Sequence, residues 1–163
     1  MSPAAFQYVR ATSLVDAIAA LAHEDNAKVI AGGYSLLPMM KLRFSQPSVL
    51  IDINELQELK GINVTSTEAQ IGAATPHAVI EHDPQIASAC PLMATVAPLI
   101  ADATVRNRGT IGGAIANSDP TADWPAAALA LGAIFDIAGP VLLRDARAPV
   151  AFYTLAEVER EVL

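Results

Sequence analysis

A Gly-Gly pair occurs twice in this chain, at Gly32-Gly33 and at Gly112-Gly113, and each pair stands where a regular element has to turn or start. Glycine reaches positive φ without steric cost and lets main chain approach another surface closely, but it adds unfolded-state entropy that a merely structural loop avoids. The longer loop, residues 104–125 (TVRNRGTIGGAIANSDPTADWP), gathers Gly109, Gly112 and Gly113 with Arg106, Arg108, Asp119 and Asp123. Its apolar residues Val105, Ile111 and Ile115 are too few and too scattered for one helix face or one long strand. Any fold of this chain must therefore place two glycine-rich loops between short elements.

The first loop follows an apolar run, residues 27–31, that suits a short buried strand, and leads into a short helix over residues 36–44 with Ser35 as N-cap. Strand, glycine turn and helix start make an anion seat. Backbone N–H groups of the first turn point outward, and the helix dipole favours negative charge by about 0.3–1 kcal/mol. Each hydrogen bond to a charged oxygen adds roughly 1.5–3 kcal/mol. Two such loops can grip a pyrophosphate from both sides, although either one alone also reads as a tight turn.

A chain of 163 residues makes one domain or two small subdomains. With 53% hydrophobic and 17% charged residues it is a folded protein. It contains no apolar run long enough to span a membrane, and its start, MSPAAFQYVR, lacks the basic and apolar regions of a signal peptide, so the expectation is a cytoplasmic protein. The net charge of −7 argues against a nucleic-acid or anionic-membrane surface, and an anionic ligand would have to be held by local dipoles. A single cysteine, Cys90, excludes an internal disulfide and an iron–sulfur cluster on this chain. His23, His77 and His82 fit no metal spacing and read as surface or capping residues.

Along the chain, residues 6–9 read as a strand. Ser13 with Asp16 opens a helix whose Leu14, Val15, Ile18 and Leu21 share one face, and the strand before the first glycine loop completes a βαβ unit. Residues 49–53 (VLIDI) form a buried strand with Asp52 at an exposed end, followed by a short helical connection. Residues 60–74 alternate as a hairpin. This change from parallel to antiparallel pattern divides the chain into subdomains 1–57 and 58–163. Thr75-Pro76 starts a helix, and residues 86–100, interrupted by Pro91 and Pro98, make one or two buried helices. A helix over residues 123–131 has Asp123 as N-cap and Pro125 in its first turn. Residues 133–138 and 141–144 pair across Gly139-Pro140, and residues 154–163 form a final helix.

At the two loops the sequence resembles the FAD-binding middle subunit, or middle domain, of the molybdenum hydroxylases: the carbon monoxide dehydrogenase, xanthine dehydrogenase and aldehyde oxidase group. The resemblance is carried by AGGYSLLPMMKLR (31–43), VLIDINELQELKGI (49–62), IGAATPHAVI (71–80) and TVRNRGTIGGAIANSDPTADWPAAALALGA (104–133), four blocks in order within about residues 3–140. It implies an α+β fold: a small β-α-β N-terminal subdomain, then a subdomain with an antiparallel sheet and helices, with FAD between them. By the same resemblance, Ile30, Ala31, Gly32, Gly33, Tyr34, Ser35, Leu36 and Leu37 surround the FAD pyrophosphate, while Thr110, Ile111, Gly112, Gly113 and Ala114 form a second clamp. Asp123 would be the acidic residue placed on FAD, Ile100 the apolar side chain packed against it, and Thr75 a residue near the flavin. The implied partners are a [2Fe–2S] small subunit and a molybdenum-cofactor large subunit, with a homo-oligomer also admitted.

The residues themselves leave alternatives open. Asp123 is also a good helix N-cap, Arg106 and Arg108 can brace the loop through carbonyls or through Asp102 and Asp119, Tyr34 can stack or simply cover the loop, and Trp124 reads as packing. No triad or paired-carboxylate arrangement stands out, so no acid–base or nucleophilic chemistry is expected of this chain. Ala114 stands where relatives carry a polar residue. The family's subunit is also longer: the match loosens after Pro140, and residues 141–163 read as a shortened version that ends before a C-terminal subdomain. The alternative expectation is therefore a flavin-free structural or assembly module.

Overall fold

A computed structural model of the chain describes residues 2–139. The expected strand over 141–144 and the expected helix over 154–163 lie outside the described residues.

The N-terminal part runs β1 (Gln7–Arg10), α1 (Leu14–His23), β2 (Ala27–Ile30), α2 (Leu36–Lys41) and β3 (Val49–Asp52). All strand pairs are parallel, in the order β1-β3-β2, with Val9 and Val29 both in register with Ile51. The βαβ unit is as expected, with β3 inserted between its two parallel strands. Apolar content decides the order. Val49, Leu50 and Ile51 are 4%, 1% and 0% exposed and suit a strand covered on both faces, whereas β2, expected to be buried, is a half-buried edge.

Helix α1 starts as its sequence dictates: Ser13 Oγ accepts from the Asp16 N–H at 3.1 Å, and Asp16 Oδ2 accepts in return from the Thr12 N–H at 2.9 Å. Ala17 is fully buried, with Leu14, Ile18 and Leu21 beside it on the sheet. Val15 was expected on that face but points to solvent, because positions 14, 17, 18 and 21 follow the helical repeat and 15 does not.

A 3₁₀ turn (Gln57–Leu59) leads to an antiparallel pair, β4 (Ile62–Val64) and β5 (Ala69–Ile71), in which Ile62 faces Ile71. Among the described residues six short helices follow: α3 (His77–His82), α4 (Pro84–Ala89), α5 (Pro91–Val96), α6 (Ala103–Arg106), α7 (Ile111–Ala116) and α8 (Asp123–Leu131). Pro84 and Pro91 each sit in the first turn of a helix, where the missing N–H costs nothing, and Pro98 lies in a 3₁₀ turn. Ala122 takes the N-cap position of α8 with extended backbone, so Asp123 is the first helical residue and makes no cap. Its carboxylate stays exposed, near the positive end of the dipole. Gly132, at φ +60, stops the helix.

Two hydrophobic clusters result. One holds Ala17, Val49, Ile51, Ile53 and Leu56 beneath α1; the other holds Ile80, Ile86, Met93, Ala97, Ile111, Ile115 and Trp124 among the helices, with the hairpin packed against it. The α+β architecture is as expected: a small parallel sheet, a two-stranded antiparallel sheet and helices. No helix among the described residues is long and apolar enough to cross a membrane.

Candidate functional site

The carboxyl ends of the parallel strands open into a cleft of about 850 Å³. Crevices at this edge are where open α/β sheets bind ligands. One wall is the first glycine loop, with Ile30, Ala31, Gly32, Gly33, Tyr34, Ser35 and Leu36; the other carries Ile100, Thr110, Gly112, Gly113, Ala114 and Asp123. Leu37 and Ile111 do not line it: Leu37 packs beside Gly33, and Ile111 belongs to the helical core. Thr75 does not line it either. Its side chain is buried, and its hydroxyl accepts from the Gly61 N–H (2.9 Å) and donates to the Gly61 carbonyl (3.1 Å).

In the first loop, Gly33 sits at φ +81, a left-handed conformation that glycine adopts without penalty. Gly32 is required for a different reason. A Cβ there would stand 2.3 Å from the Arg108 carbonyl oxygen, so the two glycine loops touch one another through bare backbone. The backbone N–H groups of Gly32, Gly33, Tyr34, Ser35 and Leu36 donate to no acceptor among the described residues; internal bonding resumes at Leu37, which donates to the Gly33 carbonyl at 2.9 Å. Ser35 holds the expected N-cap position of α2, but its backbone is already helical (φ −91, ψ −48) and its hydroxyl makes no cap bond. A run of successive unpaired N–H groups in a tight turn is an anion-binding concavity.

The second loop spends its donors inside the fold. Ile111 donates to the Thr75 carbonyl (3.1 Å), Gly112 to the Ala73 carbonyl (2.9 Å), Gly113 to Thr110 Oγ1 (3.2 Å) and Ala114 to the Thr110 carbonyl (3.0 Å). Of residues 110 to 114, which apart from Ile111 line the cleft, only the Thr110 N–H is left without an acceptor among the described residues. Gly112 is buried, and a Cβ there would meet Ala73 Cβ at 2.6 Å and its carbonyl oxygen at 2.7 Å. Only Gly113 is exposed.

His77, which the histidine spacing places at the surface or in a cap, also lines the cleft and is 3% exposed. Trp124 Nε1 donates to its Nδ1 at 3.0 Å, which leaves the imidazole proton on Nε2. Burial, and secondarily the nearby Arg106 charge, pushes the His77 pKa down to about 4, so the ring is neutral at physiological pH. The sequence did carry a signal: His77 is three residues before Ile80 on the buried face of α3. His82 behaves as expected, its Nδ1 lying 2.7 Å from the Ala78 carbonyl oxygen.

Arg106 braces the cleft, and its acidic partner is Glu81. Its Nε donates to Glu81 Oε2 at 2.8 Å, and its Nη1 donates to the Ile100 and Ala101 carbonyls at 3.1 and 3.2 Å. Asp102 instead caps α6 through the Val105 N–H, and Asp119 holds the Thr121 turn. Ala101 has φ +43, a strained value for a residue with a Cβ, so the guanidinium holds a cleft-lining bend in place. Arg106→Met is expected to lower stability by about 2 kcal/mol, read from the urea midpoint. Arg108→Met, at an exposed position, should change it by less than about 0.5 kcal/mol. The described residues contain no cluster of metal-ligating side chains.

Comparison with known proteins agrees with this geometry. The family described as "FAD binding domain in molybdopterin dehydrogenase" matches residues 4–158, so the likeness runs past residue 140, where the motif blocks thin out. The carbon monoxide dehydrogenase medium chain of Hydrogenophaga pseudoflava is 48% identical over 141 residues, covering 86% of this chain and 49% of that protein. The glyceraldehyde dehydrogenase medium chain of Sulfolobus acidocaldarius is 44% identical over 133 residues, covering 82% and 47%. A solved structure of carbon monoxide dehydrogenase from H. pseudoflava, lacking the Mo-pyranopterin moiety of its molybdenum cofactor, superposes with a TM-score of 0.84 over 86% of this chain and 49% of that one, at 48% identity. The chain thus spans about half the length of the relatives it matches. It belongs to the family of FAD-binding domains of the molybdopterin dehydrogenases.

Proposed function

We propose that this chain binds FAD in the cleft and is the electron-transfer flavoprotein part of a molybdenum-containing hydroxylase. Electrons would reach it from a [2Fe–2S] small subunit fed by a molybdenum-cofactor large subunit, and leave to a separate acceptor. The observation that carries this reading is the run of N–H groups at Gly32, Gly33, Tyr34, Ser35 and Leu36 that have no acceptor among the described residues, in a loop that lines a cleft at the sheet edge. In a chain of net charge −7, such dipoles are a means of holding a pyrophosphate without a cluster of cations.

The remaining residues fit the same ligand. Thr110, Gly112, Gly113 and Ala114 form a low wall against which a flat or extended group can lie. Ile100 offers an apolar surface held by Arg106, Asp123 offers an exposed carboxylate for hydroxyl or amide donors, and Tyr34 covers the mouth. In this reading residues 1–57 and 58–163 are the two FAD-binding subdomains that flank the cleft. FAD supplies the redox chemistry when bound; the chain binds it, orients it and shields it from water.

The test is reconstitution. Purified chain incubated with FAD and desalted is expected to retain stoichiometric oxidised-flavin absorption. A chain that stays colourless overturns the reading and leaves a flavin-free structural or assembly module.

A further inference from the structure

We propose that Asn54 is the positioning residue of the phosphate loop: its side-chain amide ties the Ala31 carbonyl to the Asp52 carboxylate and so aims the N–H groups of residues 32–36. The inference rests on the FAD reading above for the ligand, but not for the geometry. Asn54 Nδ2 donates to the Ala31 carbonyl oxygen at 2.6 Å and to Asp52 Oδ1 at 2.8 Å, and the Asn54 backbone N–H donates to the same Oδ1 at 2.8 Å.

The other carboxylate oxygen of Asp52 accepts from the Tyr8 hydroxyl. Asp52 is the last residue of the central strand, in register with Arg10 of β1 and Ile30 of β2. A chain of hydrogen bonds therefore crosses the carboxyl edge of the sheet, from Tyr8 on β1 through Asp52 and Asn54 to the peptide that follows β2. Partial burial raises the Asp52 pKa, but the bonds from Tyr8 and Asn54 outweigh that effect and hold it below the usual carboxylate range, so the central acceptor is charged at neutral pH.

Peptide planarity makes this connection directional. The Ala31 carbonyl and the Gly32 N–H belong to one trans peptide and point in opposite directions, so fixing the oxygen toward Asn54 fixes the N–H away from it. Gly32 lines the cleft, and the glycines at 32 and 33 have the widest backbone freedom in the loop. Without an external tie, this peptide is the one most free to rotate. Only a group with two N–H donors can serve both oxygens at once, which Asn does and Asp or Leu of similar shape does not.

The experiment compares wild-type chain, Asn54→Asp and Tyr8→Phe by ¹⁵N relaxation, by thermal midpoint and by titration with FAD. In Asn54→Asp the amide order parameters of residues 32–36 are expected to fall from about 0.85 to below about 0.6, while those of α7 stay unchanged. FAD affinity is expected to weaken about tenfold or more, beyond what any change in thermal midpoint explains. Unchanged order at residues 32–36 with unchanged FAD affinity overturns the proposal and leaves the FAD reading standing. Wild-type chain that takes up no FAD overturns the FAD reading alone, and the loop order parameters then decide the role of Asn54 by themselves. If Asn54→Asp fails to fold, Tyr8→Phe at an exposed position keeps the test: a partial loss of order in the same loop supports the relay, and none overturns it.

Discussion

Gly32→Ala is expected to weaken FAD binding by about a hundredfold while the two hydrophobic cores stay intact. The added Cβ would stand 2.3 Å from the Arg108 carbonyl oxygen and 2.7 Å from Gly109 Cα, and both are backbone atoms that cannot rotate away. The two glycine loops must then separate. Overpacking of this kind costs about 1–3 kcal/mol, and the upper end corresponds to two decades of affinity if the whole cost falls on the cleft. Titration of flavin fluorescence measures it, and Gly32→Ala with wild-type affinity would refute the loop-to-loop contact as the reason for this glycine. Gly113→Ala is the informative contrast, since its Cβ meets only Thr110 Oγ1, at 2.8 Å, at an exposed site. Gly112 is a poor probe of binding alone: a larger residue there strikes Ala73, and the damage goes to the packing of α7 on the end of the hairpin.

Acid is expected to remove about 3 kcal/mol of stability between pH 6.5 and pH 4, with His77 as the cause. A histidine whose folded pKa lies below its unfolded value of 6.5 binds its proton more readily in the unfolded chain. Its stabilising contribution is therefore complete above pH 6.5, declines as the pH falls, and is lost at about pH 4. Protonation also turns Nδ1 from acceptor to donor, so it can no longer take the Trp124 N–H. Trp124 is the single tryptophan in the chain, so its fluorescence reports the local event while urea midpoints report the global one. Carboxylates with lowered pKa, such as Asp52, lose their contribution mainly as the pH falls through and below 3.8, so most of the His77 window lies above theirs. A urea midpoint that stays flat from pH 6.5 to pH 4 would contradict this assignment.

Much of the local structure could be read from neighbouring residues, because the forces that set it act over a few positions. Ser13 and Asp16 start α1, the prolines at 84 and 91 open helices, Gly132 closes α8, and the alternation of residues 60–74 makes a hairpin. The four motif blocks were enough to place the chain in its family. What failed were readings that depend on partners distant in the chain. Residues 27–30 read as a buried strand but lie at a half-buried edge because β3 takes the centre of the sheet, and the Trp124 that bonds to His77 is 47 residues away; the Val15 error, by contrast, was local, one position off the helical repeat.

The glycine pairs show where that division falls. Their sequence alone determined that main chain would come close to another surface at two places, because only glycine combines backbone freedom with the absence of a Cβ. Which loop leaves its donors unpaired among the described residues was decided by tertiary structure. The carbonyls of Ala73 and Thr75 come from the end of the hairpin and consume the N–H groups of Gly112 and Ile111, while nothing among the described residues approaches those of Gly32 to Leu36. A hydrogen-bond donor is available only if no acceptor reaches it, and that depends on the placement of segments far apart in the chain.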